Sequence, residues 1–445
     1  MLKKLSFLFL TFSLLTTSAF AQSGINVVGS GARAAAMGYA FTGLADDATA
    51  ISWNPAGLAQ LQEMEASIYG RFGTQSISYD NLPQDYMLYD SYNNSYYDYS
   101  IESYDIESES QFQLNFASFV FPFKLQDFNL VAGLAYRRYM DFSNEYTHKY
   151  TRTDDYNPYG SYISIFNKDY EKVYTYEGSV NAISPSVAFA INDQFSIGVT
   201  VNILTGNETY SDNVKYHFID TGVSNPEATE KNEEYKVSSY DVDYSGFNID
   251  FGILAKLSPQ FSIGAKITTP YDLEYEYNKS LVYESGIEYD LTPSGTYAYE
   301  IPLTFGVGAV FRATDNFTIS ADYQHRPFDG AKKTYDGDEV GEFQYDYNSF
   351  HVGMEYLVIA GDLVVPIRAG FYTSPQGKED ANEDQVIENV VTLGSGLLIG
   401  NLNINAAFEM GFRSYEQYWF TDTDDVVVDY TLNSYRLTVG ATLHL

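Results

Sequence analysis

The sequence predicts an all-β chain, a transmembrane antiparallel β-barrel of about 14 strands with a small N-terminal hatch (plug) inside the lumen. Three observations predict it. Period-two alternation restarts after a series of tight turns, short and long connections exchange regularly, and one N-terminal segment does not alternate at all.

The alternation is clearest after three polar turns. Following Asn192-Asp193-Gln194, Phe195, Ile197, Val199, Val201 and Ile203 share one face, and Ser196, Gly198, Thr200 and Asn202 the other. Following Ser258-Pro259-Gln260, Phe261, Ile263, Ala265 and Ile267 oppose Ser262, Gly264, Lys266 and Thr268. Following Thr314-Asp315-Asn316, Phe317, Ile319, Ala321 and Tyr323 oppose Thr318, Ser320, Asp322 and Gln324. Weaker copies start at Phe128 and Leu402. An apolar face toward lipid and a small, polar face toward a lumen produce this pattern.

Tight turns fall near 124–127, 192–194, 258–260, 314–316, 360–362 and 400–401. Between them lie Tyr- and acid-rich connections near 79–110, 146–173, 206–236, 275–297, 328–342, 374–385 and 415–428. Short periplasmic turns facing long outer loops explain this asymmetry, and a closed sheet leaves no edge to aggregate. The final strand fits as well. Tyr435, Leu437, Val439, Ala441, Leu443 and Leu445 alternate with Arg436, Thr438, Gly440, Thr442 and His444. It resembles the C-terminal signal read by the barrel assembly machinery, with Leu445 in place of the usual Phe.

At the N-terminus, Lys3 and Lys4 precede an apolar run from Leu5 to Leu15, and Ala19-Phe20-Ala21 offers a cleavage site. This predicts a secretory signal peptide over 1–21, followed by a hatch over 22–62 and a barrel over 63–445. No later run reaches the roughly 18 apolar residues of a membrane helix. Aromatics make up 17% of the 445 residues, with 42 Tyr and 30 Phe, a composition suited to interfacial girdles. The formal net charge of −34 repels nucleic acid and assigns the acidic residues to solvated loops. Cysteine is absent, so neither disulfides nor thiolate metal sites stabilise the chain.

Residues 24–60 break the pattern. Gly24 to Gly43 is rich in Gly and Ala, Asp46-Asp47-Ala48-Thr49 reads as the capped start of a short helix, and Trp53 to Leu58 reads as a turn in which Gly57 supports a cap. The segment is too polar for a strand in lipid, which puts it inside the barrel. Its stretch from Gly29 through Arg33 and Gly38 to Ala40, the pair Asp46-Asp47, and Asn54-Pro55-Ala56-Gly57 resemble the hatch of the FadL-type outer-membrane transporter family. That resemblance implies a fourteen-stranded barrel and uptake of long-chain fatty acids or other hydrophobic molecules, including aromatic hydrocarbons. It also implies that Asn54, Pro55, Ala56 and Gly57 set the hatch geometry, with release to the periplasm or sideways through the wall.

The same parity that turns apolar side chains to lipid turns charges to the lumen: Arg137, Lys266, Arg368, Arg413 and Arg436, with Asp250, Asp322, Glu355 and Glu409. These either clamp the hatch, contact a ligand headgroup, or pair with one another and with water. Arg33 is the hatch cation placed to meet one of the lumen carboxylates.

Catalysis has little support. The histidines are His148, His217, His325, His351 and His444, and none stands at a nucleophile-triad spacing. The Tyr79–Ser110 connection is acidic without an EF-hand pattern, so solvated loop is preferred to calcium site. The expected protein is therefore no enzyme and carries no cofactor or metal. Its partners are a hydrophobic small molecule, outer-membrane lipid and lipopolysaccharide. A barrel adaptor for protein secretion to the cell surface is the alternative, since aromatic, acidic loops also suit protein contacts. An open porin conflicts with a plug.

Overall fold

Where a polar turn side chain holds the backbone, a strand begins. Asn192 Oδ1 accepts from the backbone N–H of Gln194 and Phe195, and Ser258 Oγ from those of Gln260 and Phe261. The computed structural model describes residues 29–80, 85–90, 95–108, 111–125, 128–156, 164–220, 229–282, 288–290, 295–361, 363–420 and 425–445. The expected signal peptide lies outside the described residues, as do parts of the 79–110 connection.

Fourteen antiparallel strands close into a barrel. They are β1 (Glu65–Asp80), β2 (Gln111–Leu125), β3 (Phe128–Asp141), β4 (Ser164–Ala190), β5 (Phe195–Asp220) and β6 (Thr229–Lys256). Next come β7, in two pieces (Phe261–Thr268 and Tyr271–Val282), and β8, also in two (Thr296–Ile301 and Thr304–Thr314). The series ends with β9 (Phe317–Arg326), β10 (Tyr347–Ala360), β11 (Leu363–Glu379), β12 (Gln385–Ile399), β13 (Leu402–Phe420) and β14 (Asp425–His444). Closure runs from Glu65↔His444 to Asp80↔Asp429 between β1 and β14.

The burial pattern is that of a protein in lipid. On β5, Phe195, Ile197 and Ile203 are exposed while Ser196, Thr200 and Asn202 are buried. Lipid covers the first set; of the second, Ser196 and Thr200 bond the hatch, and Asn202 bonds Ser184, Asn248 and Asp250 of the wall.

Several expected loops are strands. β4, β5 and β6 run 27, 26 and 28 residues, far past the roughly 10 needed to cross the hydrocarbon. Their outer parts alternate Tyr or aliphatic with acid, as in Tyr240-Asp241-Val242-Asp243-Tyr244.

At one level, three neighbouring strands are interrupted by proline. Pro270 lies between the halves of β7 and Pro302 between those of β8, and Pro327 follows β9. The first two breaks face each other, because Thr268 pairs with Thr304 below and Tyr271 with Ile301 above. Proline cannot donate to the ladder, and here the strand phase changes across it. Below the break of β7, Ile263 and Ile267 point out; above it, Tyr271 and Leu273 are buried while Asp272, Glu274 and Glu276 are exposed. The outward face thus passes from apolar to acidic, which marks the outer edge of the hydrocarbon band. Above the break, β8 pairs with a hairpin strand, Lys332–Tyr335, instead of β9.

Candidate functional site: the hatch and the lumen above it

The hatch is short of regular structure, so the wall must satisfy its backbone. It holds helix α1 (Ala32–Ala36), helix α2 (Ala50–Trp53) and a 3-10 turn (Pro55–Gln60). The Gly38 N–H donates to Thr392 Oγ1 at 3.1 Å, and those of Phe41 and Thr42 donate to Asp322 Oδ2 at 2.8 and 2.6 Å. Asn115 holds Gly29 and Gly31. Ser196 donates to the carbonyl of Ala56, Ser262 to that of Gly43, and Thr392 to that of Ala36. Ser196 and Ser262 stand beside the short turns, Asp322 and Thr392 at mid-strand and Asn115 beyond it, so the hatch extends from the short-turn end past the middle of some strands.

Asn54 is fully buried, and its amide makes three bonds. Nδ2 donates to the carbonyls of Thr42 at 2.9 Å and of Ile253 at 3.0 Å, and Oδ1 accepts from the Ala56 N–H at 3.2 Å. The stretch expected as a turn is therefore a 3-10 helix with Asn54 as its cap and Pro55 in its first position. Gly57 lies inside that helix and not at its end, and glycine is required there because any Cβ would strike the Ala45 carbonyl. The Asp46–Asp47 expectation also shifts. Thr49 is the N-cap of α2, and Asp47 Oδ1 instead accepts from the Thr49 N–H at 2.9 Å in a local turn.

Arg33 is the centre of an ion cluster. It bonds Asp46 at 2.6 Å, lies 3.7 Å from Asp47, and forks onto Glu355 of β10 with bonds of 3.0 and 2.9 Å. Glu355 also receives Arg368 Nε at 2.6 Å, and Arg312 reaches Asp46 at 3.8 Å. A planar guanidinium suits a bidentate carboxylate. A second group holds Tyr39, a non-glycine residue at φ 59. Its hydroxyl donates to Glu409 at 2.9 Å and its ring stacks on Trp53 at 5.3 Å. Glu409 also accepts from Tyr372 at 2.8 Å, while Arg436 bonds Glu388 at 3.2 Å.

The third group forms the ceiling of the hatch. Lys266 Nζ donates to the Ser52 carbonyl at 3.0 Å and lies 3.9 Å from Asp250, and Arg137 lies 3.6 Å from the same carboxylate. Among the described residues, Arg137 Nε and Tyr347 Oη are buried without a hydrogen-bond partner, and Arg326 lies over the Tyr347 ring. Of the lumen charges read from the sequence, two stand outside these three groups: Asp322, which holds the Phe41 and Thr42 N–H groups, and Arg413, bonded to Gln376 in the outer half.

Sequence reasoning missed the wall glycines. A Cβ on Gly252 would strike Asn54 Oδ1 and come 2.8 Å from Pro55 Cδ; one on Gly198 would strike Pro55 and Ala56. Gly264, Gly308, Gly353 and Gly370 meet the hatch as closely. The available signal was glycine recurring on the inward face of strand after strand. Also missed were Asn115, Thr392 and His351, whose Nδ1 lies 2.8 Å from the Gly38 carbonyl.

Above these groups part of the lumen is lined by apolar and Tyr side chains. Tyr139, Met140, Val180, Leu204, Val242, Tyr244, Tyr271, Leu273 and Ile301 form one buried cluster with Phe328, Phe343 and Tyr347. Phe328 and Phe343 come from the connection after β9, where Pro327 ends the strand, and Tyr347 is the first residue of β10.

A fourteen-stranded barrel with apolar outward residues and a hatch bonded into its lumen is an integral outer-membrane protein of the plugged class. The chain belongs to the outer membrane protein transport family (OMPP1/FadL/TodX), whose sequence profile matches residues 12–387. It is a transport protein and not an enzyme. Among solved structures, it is similar to a Pseudomonas aeruginosa FadL homologue, at 16% identity and TM-score 0.59 over 95% of this chain and 100% of that one. It is also similar to the P. putida toluene transporter TodX, at 14% identity and TM-score 0.58 over 94% and 99%. The Ralstonia pickettii toluene transporter TbuX follows at 15% and 0.52, over 94% and 99%. No protein of curated function matches the sequence.

Proposed function

We propose that this protein mediates passive, hatch-gated uptake of hydrophobic small molecules such as long-chain fatty acids or aromatic hydrocarbons. The observation that carries this reading is the inward apolar lining above the proline breaks, set over a cationic ceiling of the hatch. A greasy solute gains about 0.8 kcal/mol for each CH₂ moved from water onto such a lining. A charged or polar headgroup would meet Arg137, Lys266 and the Tyr347 hydroxyl at its base. The transport of toluene by two similar structures supports the same class of cargo.

In this reading the hatch, residues 22–62, is the gate. Asn54, Pro55, Ala56 and Gly57 hold its shape against the glycines of the wall, and Arg33, Gly38, Asp46 and Asp47 hold its position. Passage requires these bonds to rearrange, because the hatch backbone is tied to the wall on several sides.

Binding of a panel of fatty acids and aromatic hydrocarbons to detergent-purified protein tests the proposal. Saturable binding of one class is expected, lost in Leu273→Asp, with uptake altered in Asn54→Ala and Pro55→Ala. No binding across the panel, with surface proteins co-purifying, would favour the secretion adaptor.

A further inference from the structure

On β9 and β10 the lipid-facing residues are apolar through Ile319 and Ala321, and through Val352 and Met354. The same parity then brings Tyr323, His325 and Asn348 to the outside. Register sets them in two rows across β8, β9 and β10. Val307, Tyr323 and Phe350 form the lower row, and Phe305, His325 and Asn348 the upper one. The upper row lies immediately below the breaks at Pro302 and Pro327. These side chains therefore stand at the outer edge of the hydrocarbon band, where acyl chains give way to headgroups.

Asn348 Oδ1 is the hub of the cluster. It accepts from the Tyr323 hydroxyl at 2.6 Å and from His325 Nδ1 at 2.8 Å. A carboxamide oxygen can only accept, so the neutral imidazole carries its proton on Nδ1 and keeps Nε2 as an acceptor. Both protons of the Asn348 Nδ2 are left to donate. Among the described residues, neither this Nδ2 nor His325 Nε2 has a hydrogen-bond partner.

An interfacial girdle is complete with Tyr and Phe alone. Here a held amide and a held imidazole add a donor and an acceptor side by side, with rings around them. Phe350 and Phe305 are 57% and 37% exposed, and their centroids lie 5.1 Å from Tyr323 and 5.2 Å from His325. Ring faces with a few fixed polar groups suit a sugar, whose C–H faces are apolar and whose hydroxyls both donate and accept. Phosphate is not selected. Neither row contains Lys or Arg, and Asp272 and Glu300, opposite each other above the break, are exposed on the same side.

We propose that this cluster is a docking site for the sugar headgroup of an outer-leaflet glycolipid of the lipopolysaccharide class. The sugar takes the Asn348 amide and His325 Nε2 between Phe305 and Phe350. Its acyl chains run down the exposed Val307, Ile319, Val352 and Met354. The bound lipid braces the wall at the level where three neighbouring strands are interrupted by proline. The site lies outside the barrel and is independent of any cargo in the lumen.

The test is native mass spectrometry in an amine-oxide detergent, which has no sugar head. Wild type, Asn348→Leu, His325→Phe and Tyr323→Phe are titrated with lipid A, dephosphorylated lipid A and phosphatidylglycerol. Lipid A affinity should fall about tenfold in Asn348→Leu and His325→Phe, as expected for lost hydrogen bonds. Tyr323→Phe, which loses only the hydroxyl that holds the amide, should show a smaller fall. Dephosphorylated lipid A should bind wild type within about twofold of lipid A, and phosphatidylglycerol should bind all four proteins equally, which shows the wall intact. Equal lipid A affinity in Asn348→Leu and wild type would overturn the site and leave an ordinary girdle. A parallel loss of phosphatidylglycerol would overturn the sugar assignment, as would loss of binding on dephosphorylation. Displacement of lipid A by an equimolar acyl-free glucosamine disaccharide would overturn the lipid source.

Discussion

Arg33 of the hatch and Glu355 of the barrel wall, 322 residues apart, meet as a two-bond fork with Nε–Oε2 and Nη2–Oε1 distances of 3.0 and 2.9 Å. Arg368 grips the same carboxylate from the adjacent strand. The plug is therefore latched to the wall by a charge pair that is buried on the wall side and partly wet on the hatch side.

Arg33→Ala leaves Asp46, Asp47 and Glu355 without their shared cation. Breaking a buried pair costs about 3 kcal/mol, which on the gating proposal shifts the hatch toward an open state. Single-channel recordings should show larger and noisier conductance than wild type. A closed, quiet trace would mean that the backbone bonds alone hold the plug.

Gly252→Val should be as disruptive by a different route. Its side chain would occupy the space of Asn54 and Pro55, and overpacking of this kind costs about 1–3 kcal/mol. The barrel's outer ladder is untouched, so heat-modifiable migration on gels should persist while protease sensitivity of the hatch rises. Unchanged protease resistance would count against tight hatch–wall contact.

The change of face at Pro270 gives a paired expectation on one strand. Ile267→Lys puts a charge in lipid and should cost about 2–4 kcal/mol at mid-bilayer depth, less toward the interface. Asp272→Lys, five positions on but above the break, should stay within about 0.5 kcal/mol of wild type, as at an ordinary surface site. Denaturant unfolding in bilayers of both variants checks this; equal costs would place the break inside the membrane.

In the outer hairpin, Lys332 Nζ lies 2.8 Å from Glu339. The hydrogen bond to Lys332 holds the Glu339 carboxyl below its ordinary value of 4.5, and Glu339 in turn raises Lys332 above 10.5. A depressed acid contributes order above its ordinary value and loses it as pH falls through the lowered one. A raised base contributes below its ordinary value and loses it at high pH. Hydrogen exchange in Lys332–Tyr335, corrected for intrinsic rates, should thus be flat from about pH 5 to 10 and speed up below about pH 4. Glu339→Gln should abolish the acid limb.

Much of the barrel was legible because lipid imposes one rule on every strand. Phe195 to Ile203 and Phe261 to Ile267 alternate with period two, and that parity alone carried Arg137, Asp250, Glu355, Arg368 and Glu409 to the lumen. The short turns were legible for a local reason, since Asn192 and Ser258 hold backbone two and three residues away. The outer halves were not. Tyr275 read as the start of a polar connection, because its packing against the lumen cluster depends on a break whose effect is set by the neighbouring strand.

By itself, then, the sequence determined the strands, their number and which side chains face lipid, since these follow from local period and turn chemistry. Tertiary structure alone decided that Arg33 reaches Glu355, that Gly252 makes room for Asn54 and that Tyr323 and His325 meet on Asn348. These depend on strand register and on the depth at which the hatch sits, and closing the barrel sets both.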